Sequence, residues 1–187
     1  YVDAMSSGLD VKASCVYGTA AALSAVTYAN GSSGVGATLT ADANGALSVD
    51  GASPVVGNRI LVKDQAAGLQ NGIYTVTATG SGAAVFVLTR ATDADSSAEV
   101  TGGMFTFVEE GSAADAGFVL SNVTGSATLG TTGLGFTQFS GAGSVTAGAG
   151  LGKTGNTLSV NVDDASIEIN SDTLRLKGVT SVPEGVL

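Results

Sequence analysis

The chain has 187 residues, a formal net charge of −9 and no His, a length that allows one domain of ordinary size or one domain with an extension. Without His, the common zinc sites and Ser-His-Asp or Cys-His machinery are excluded. An acidic chain with no cluster of Lys or Arg is repelled by phosphate backbones, so no nucleic-acid partner is expected. Gly takes 28 positions and aromatics only 5% of the chain. With so much Gly, Val and Thr the sequence suits strands joined by tight turns, since Gly and β-branched residues are poor helix formers.

Residues 1–8 read as a lead-in and 9–140 as a globular β domain. The chain opens at Tyr1 rather than Met, which reads as a piece of something longer. Val11–Tyr17 predicts a first strand, and the lone Cys15 within it reads as a small apolar strand residue. Ala20–Thr27 is ambiguous, and a Gly/Ser-rich stretch around Asn30–Gly36 follows. Ala37–Ala41 and Ala46–Val49 flank Asn44-Gly45, a hairpin signal because both residues tolerate positive φ. Asp50-Gly51 predicts a further turn. Arg59–Lys63 (RILVK) is the clearest strand, and a loop ending in Asn71-Gly72 predicts its antiparallel pairing with Ile73–Ala78. Ala84–Thr89, Met104–Glu109, Phe118–Ser121 and Leu134–Phe139 complete a set of short strands. Alternation nominates Ile60, Val62, Tyr74, Val76, Phe86, Leu88, Phe105, Phe107, Phe118, Leu120, Phe136 and Phe139 as the core. The longest apolar run, Ala83 to Leu88, falls far short of the roughly 18 residues of a spanning helix, so no membrane insertion is expected.

From Gly141 to Leu187 the texture changes to an internal repeat. Gly150-Leu151 is answered sixteen positions later by Ser166-Ile167, and Asn156–Val160 (NTLSV) by Asp172–Leu176 (DTLRL). Two short strands with a turn between them cannot hide an apolar face inside one thin chain, whereas three copies wound about one axis can. The predicted trimer core is Leu151, Leu158, Val160, Ile167, Ile169, Leu174 and Leu176. At ~1.5–3 kcal/mol per buried aliphatic side chain, several such layers offset the ordering entropy. Asp163-Asp164 marks a polar turn, and Lys153, Arg175 and Lys177 are placed on the shaft exterior. The alternative is that these are ordinary C-terminal strands packed on the first domain. The expected fold is therefore all-β: a compact antiparallel sandwich or barrel-like domain followed by an extended repetitive shaft.

Three patterns mimic chemistry. Ala147–Thr154 (AGAGLGKT) fits the loose phosphate-loop pattern, but a β-patterned run follows it where a helix N-terminus is needed. Asp93, Asp95, Ser97 and Glu99 have the alternate spacing of a calcium loop, yet Ala98 replaces its Gly and Met104 its bidentate Glu. That stretch reads as a solvated loop in which Arg90 pairs one carboxylate. Glu109-Glu110 and Asp115 could be offered as a glycosidase pair, but adjacent strand residues point to opposite faces and cannot share a sugar cleft. No catalytic residue, cofactor or metal is assigned.

The runs LDVKAS (Leu9–Ser14), GNRILVKDQ (Gly57–Gln65), NGIY (Asn71–Tyr74), TRATDAD (Thr89–Asp95), EVT with MFTFVEEG (Glu99–Thr101, Met104–Gly111) and LGTTGLGFTQFSGAG (Leu129–Gly143) resemble, in order, a module of bacteriophage tail fibre and tail-associated proteins. AGAGLGKTGNTLSV (Ala147–Val160) is similar to the segment that follows this module and to β-spiral shaft repeats of viral fibres. Phe86 and Phe118 stand where many such sequences carry Trp, and Asn30–Ala43 reads as an insertion. The resemblance implies a virion structural role, exposed extracellularly, in a homotrimer that joins other tail or baseplate proteins. It implies no catalytic residues. Beside this connector role stand a receptor-binding module contacting a host glycan or protein through loops such as Gln65–Asn71, and a glycan depolymerase.

Overall fold

The computed structural model describes residues 10–140, 147–154, 157–162, 167–171 and 173–176. The lead-in at residues 1–8 and the turn at Asp163-Asp164 lie outside them. The chain divides into two compact units, Tyr1–Ser144 and Val145–Leu187. It is essentially all-β: among the described residues the one helical feature is a 3-10 turn over Gly68–Gln70, and no helix is long and apolar enough to cross a membrane.

In the first unit six strands form one sheet: β1 (Tyr17–Gly18), β2 (Val26–Ala29), β3 (Thr38–Ala41), β4 (Arg59–Val62), β5 (Gly72–Ser81) and β6 (Ala84–Arg90), in the order β1-β4-β5-β6-β3-β2. All neighbours are antiparallel except β1 and β4. The expected pairing of RILV with the strand after Asn71-Gly72 is present, Ile60 facing Tyr74 and Leu61 facing Ile73. A second sheet holds β7 (Phe105–Val108), β8 (Ala116–Leu120) and β9 (Phe136–Gln138) in sequence order.

β4 is apolar on both sides because both sides are covered. Leu61 joins one core with Ile73, Met104, Val108, Phe118, Leu120 and Leu134, contributed by both sheets. Ile60 and Val62 join another with Leu39, Tyr74, Val76, Phe86 and Leu88.

Three expectations are corrected. The Val11–Tyr17 strand is not one regular strand, because the segment changes sheets. Val11 and Cys15 bridge β7 in parallel, and Val16 N then donates to Arg59 O at 2.8 Å, entering the other sheet through β1. Between them, the Ala13 and Ser14 carbonyls accept from the Arg59 guanidinium, each at 3.2 Å. The Asn44-Gly45 hairpin does not form either. β3, which lies in the expected insertion Asn30–Ala43, is already paired on both edges by β2 and β6. The chain after it runs past the β5–β6 hairpin, Leu47 N donating to Thr79 O at 2.7 Å. Close approach here demands a glycine at Gly80, where a Cβ would lie 2.0 Å from Gly45 O. The turn at Asp50-Gly51 does form, with φ of 51° and 78° and the Val49–Ala52 bridge across it, as a primed turn requires.

The third correction concerns the core. Ile60, Val62, Tyr74, Val76, Phe86, Leu88, Phe118 and Leu120 are buried, but Phe107 and Phe139 are exposed and Phe105 and Phe136 only half-buried. On β7 the inward positions are Thr106 and Val108. Thr106 tolerates burial because its hydroxyl donates to Ala13 O at 3.0 Å.

In the second unit, β10 (Leu151–Thr154) and β11 (Thr157–Val160) form one antiparallel hairpin, and β12 (Ile167–Asn170) and β13 (Thr173–Leu176) another. Each strand of the second hairpin begins sixteen positions after its counterpart in the first, so the sequence repeat is a repeat of hairpins.

Candidate assembly surface

Register fixes the two faces of each hairpin, because directly opposed residues of an antiparallel pair share a face and alternate residues follow them. In β12–β13 Ile167 opposes Leu176 and Ile169 opposes Leu174, so one face is wholly aliphatic. The other carries Glu168 opposite Arg175 and Asn170 opposite Thr173. In β10–β11 Leu151 opposes Val160, and the next pair on that face is Lys153 with Leu158. Gly152, Ser159, Thr154 and Thr157 take the opposite face. All seven nominated residues therefore lie on the apolar faces of the two hairpins.

Those faces are open in a single chain. Leu151, Leu158 and Val160 are 40–45% exposed, Ile169 and Leu174 just over half, and Leu176 79%. An isolated two-stranded hairpin is marginal in water, and a run of aliphatic side chains left this wet marks a surface meant for covering. Register puts Lys153, expected on the shaft exterior, on the same hairpin face as Leu151 and Leu158, at the position that Ile169 takes in the second hairpin.

The patterns that mimic chemistry resolve differently. Leu151–Thr154 of the phosphate-loop match is strand β10, followed by β11 rather than by a helix, so no helix N-terminus faces a phosphate. In the 93–99 loop, Glu99 Oε2 accepts from Ser96 N at 3.1 Å, from Ser96 Oγ at 2.9 Å and from Asp95 N at 3.3 Å. The Ser96 hydroxyl contact leads in holding the Glu99 carboxyl below its ordinary value, while burial pushes Asp95 up. The Glu99 carboxylate thus closes a turn, and among the described residues no group of three or more acidic, Cys or His side chains could hold a metal ion. Asp93 is paired by Arg59 at 2.9 Å, not by Arg90. Glu109 accepts from Ser14 Oγ and Glu110 from Tyr17 OH at 2.8 Å, each tied to a different neighbour. Hydrogen bonding to Glu110 also raises the Tyr17 phenol above its usual value.

Arg90 is the residue whose placement sequence reasoning missed. It is 2% exposed, its guanidinium stacked 4.9 Å from the Tyr74 ring centroid and donating to Tyr74 OH at 3.0 Å and Asn71 O at 3.3 Å. It acts as a planar cross-link between β6 and the chain entering β5. Nothing in the run TRATDAD signals this, since Arg is seldom fully buried.

The Gln65–Asn71 loop offers little outward chemistry. Gln65 Oε1 accepts from Leu23 N at 2.7 Å, and Asn71 bridges Gln65 N, Lys63 O and Leu134 O at 2.9–3.2 Å. An open groove of about 380 Å³ lies between Thr19–Ser24 and the Ala46–Gly51 stretch, lined by no aromatic or cationic side chain. Such side chains are the usual anchors of a binding site.

Comparison with family models, with curated proteins and with solved structures finds no match to this chain.

Proposed function

We propose that this chain is a structural connector of a bacteriophage tail fibre or related virion appendage, working as a homotrimer. The observation that carries the reading is the aliphatic face repeated on two successive hairpins and left open to water in one chain. Three copies around a common axis turn those faces toward one another and keep the polar faces outside, so the repeat becomes a shaft. The first unit, with its two cores, is then a sandwich-like module that the shaft carries. The ordered runs from Leu9 to Val160 that resemble tail fibre modules support the virion assignment. The partners are two further copies and the adjoining tail or baseplate proteins.

A connector is favoured over a receptor-binding module because Gln65 and Asn71, at the two ends of the Gln65–Asn71 loop, are tied to backbone groups of the first unit. Light scattering on the purified chain tests the reading. The expected mass is three times the 18.1 kDa of one chain. A stable, folded monomer at micromolar concentration refutes it.

A further inference from the structure

The second sheet has one face in a core and one in water. Thr106, Val108, Phe118 and Leu120 face inward, and register places Phe105, Phe107, Gly117, Val119 and Thr137 on the outer face. Phe139 joins that face just beyond β9, its backbone N–H donating to Gly117 O at 2.9 Å. Its ring lies against Gly117, where a Cβ would sit 2.6 Å from the ring edge, so a side chain at 117 would displace the ring. Phe105, Phe107 and Phe139 pack mutually edge-on, with centroids 5.5–6.2 Å apart. Yet Phe107 is 43% and Phe139 49% exposed. This is half the chain's complement of Phe, ordered on one face and left wet. A protein carrying −9 places no ionisable residue at any of these positions. Aromatic enrichment with charge depletion is the composition of an interface centre.

The place of this face in the chain points to its occupant. Phe139 precedes Ala147 by eight residues, and β10 begins at Leu151. The seven peptide units from Ser140 to Ala147 reach at most about 25 Å. Three shafts sharing an axis therefore hold three copies of Phe139 close together, at an effective concentration on the order of millimolar. We infer that the Phe105–Phe107–Phe139 face is a second contact between copies of this chain, packing one globular unit against another. The inference rests on the trimeric reading above. The face is small beside the ~800 Å² per partner of a standard interface, so it pairs only under the tether.

The chain has no Trp, which makes Phe107→Trp in the full chain a unique probe at a half-exposed site. Acrylamide, a neutral quencher, avoids repulsion by the acidic protein. The expected result is a trimer whose indole is quenched several-fold less than in the monomeric double variant Phe107→Trp with Leu174→Asp, with emission shifted to the blue. Phe139→Trp is the second position and should behave alike. A trimer whose indoles are quenched as in the double variant overturns this contact and leaves the shaft reading standing. If the wild-type chain is itself a monomer, the shaft reading and this contact fall together.

Discussion

Leu174 stands opposite Ile169 in the second hairpin and is 54% exposed in a single chain. Truncating it to Ala removes little from a lone chain, because half of the side chain is already wet. On the trimeric reading it is this exposed half that the shared axis buries. Taking half of the ~1.5–3 kcal/mol for a fully buried aliphatic side chain gives about 1 kcal/mol per copy. The variant enters all three chains, so a trimer loses about 3 kcal/mol, or roughly a hundredfold in its association constant. Because that constant varies with the square of chain concentration, the dissociation midpoint should rise about tenfold. A cavity that fails to close adds to the loss. Thr173→Ala is the control, since Thr173 lies on the polar face of the same strand. Sedimentation equilibrium over a dilution series reads both midpoints. Equal shifts for Leu174→Ala and Thr173→Ala would refute the assignment of the aliphatic face to the axis.

A chain ending at Ser140 should remain folded on its own two cores but run as a monomer and lose resistance to SDS and heat; an unchanged trimer would show that the hairpins do not assemble it. Gly72→Ala should lower stability by about 2–4 kcal/mol in urea. Gly72 has a φ of +147°, and a Cβ there would sit 2.1 Å from the buried Arg90 Nη1; an unshifted urea midpoint would mean that Arg90 is free to move aside. Burial pushes the Cys15 thiol from 9.0 to about 11. The folded state then holds that proton more tightly than the unfolded chain does. Its contribution to stability is full below pH 9 and declines as pH rises toward 11. Denaturant midpoints measured across that range should fall more steeply for the wild type than for Cys15→Ala, and parallel curves would contradict the burial of Cys15.

The strands most legible in the sequence are those whose local preference and tertiary setting agree. RILV is β-branched and aliphatic, and it lies where both faces are covered, so every residue points to the same answer. Asp50-Gly51 adopts the positive φ that its own residues favour, and the long-range contact it makes, Ser112 N donating to Asp50 Oδ2, agrees with that local preference. Period two, by contrast, separates two faces without saying which is inside. In MFTFVEEG the two Phe look like core, yet Met104, Thr106 and Val108 are buried and Phe107 is not. That choice is made by Cys15 and Ala13, ninety-odd residues away in sequence, which meet Thr106 from the crossing segment. Arg90 and the missing hairpin at Asn44-Gly45 are of the same kind: long-range partners decide, and local residues carry no mark of them.

The tail reverses this relation. Its hairpins pair only neighbouring strands, so alternation alone identifies the aliphatic face. The position of Lys153 was legible by the same rule, two residues from Leu151 and therefore on its face. That placement makes the two repeats unequal. By register the second has aliphatic residues at all four positions of that face, whereas the first has three and a lysine. A Lys can cover apolar surface with its methylenes only while its ammonium reaches water, which a closed axis denies at the centre but allows at an end. On the trimeric reading, the stretch from Ile167 to Leu176 is therefore where the shared core would close most completely, and Leu158→Ala should shift the trimer midpoint less than Leu174→Ala. Equal or larger effects at Leu158 would place the strongest layer at the first hairpin, with the Lys153 ammonium held inside the assembly.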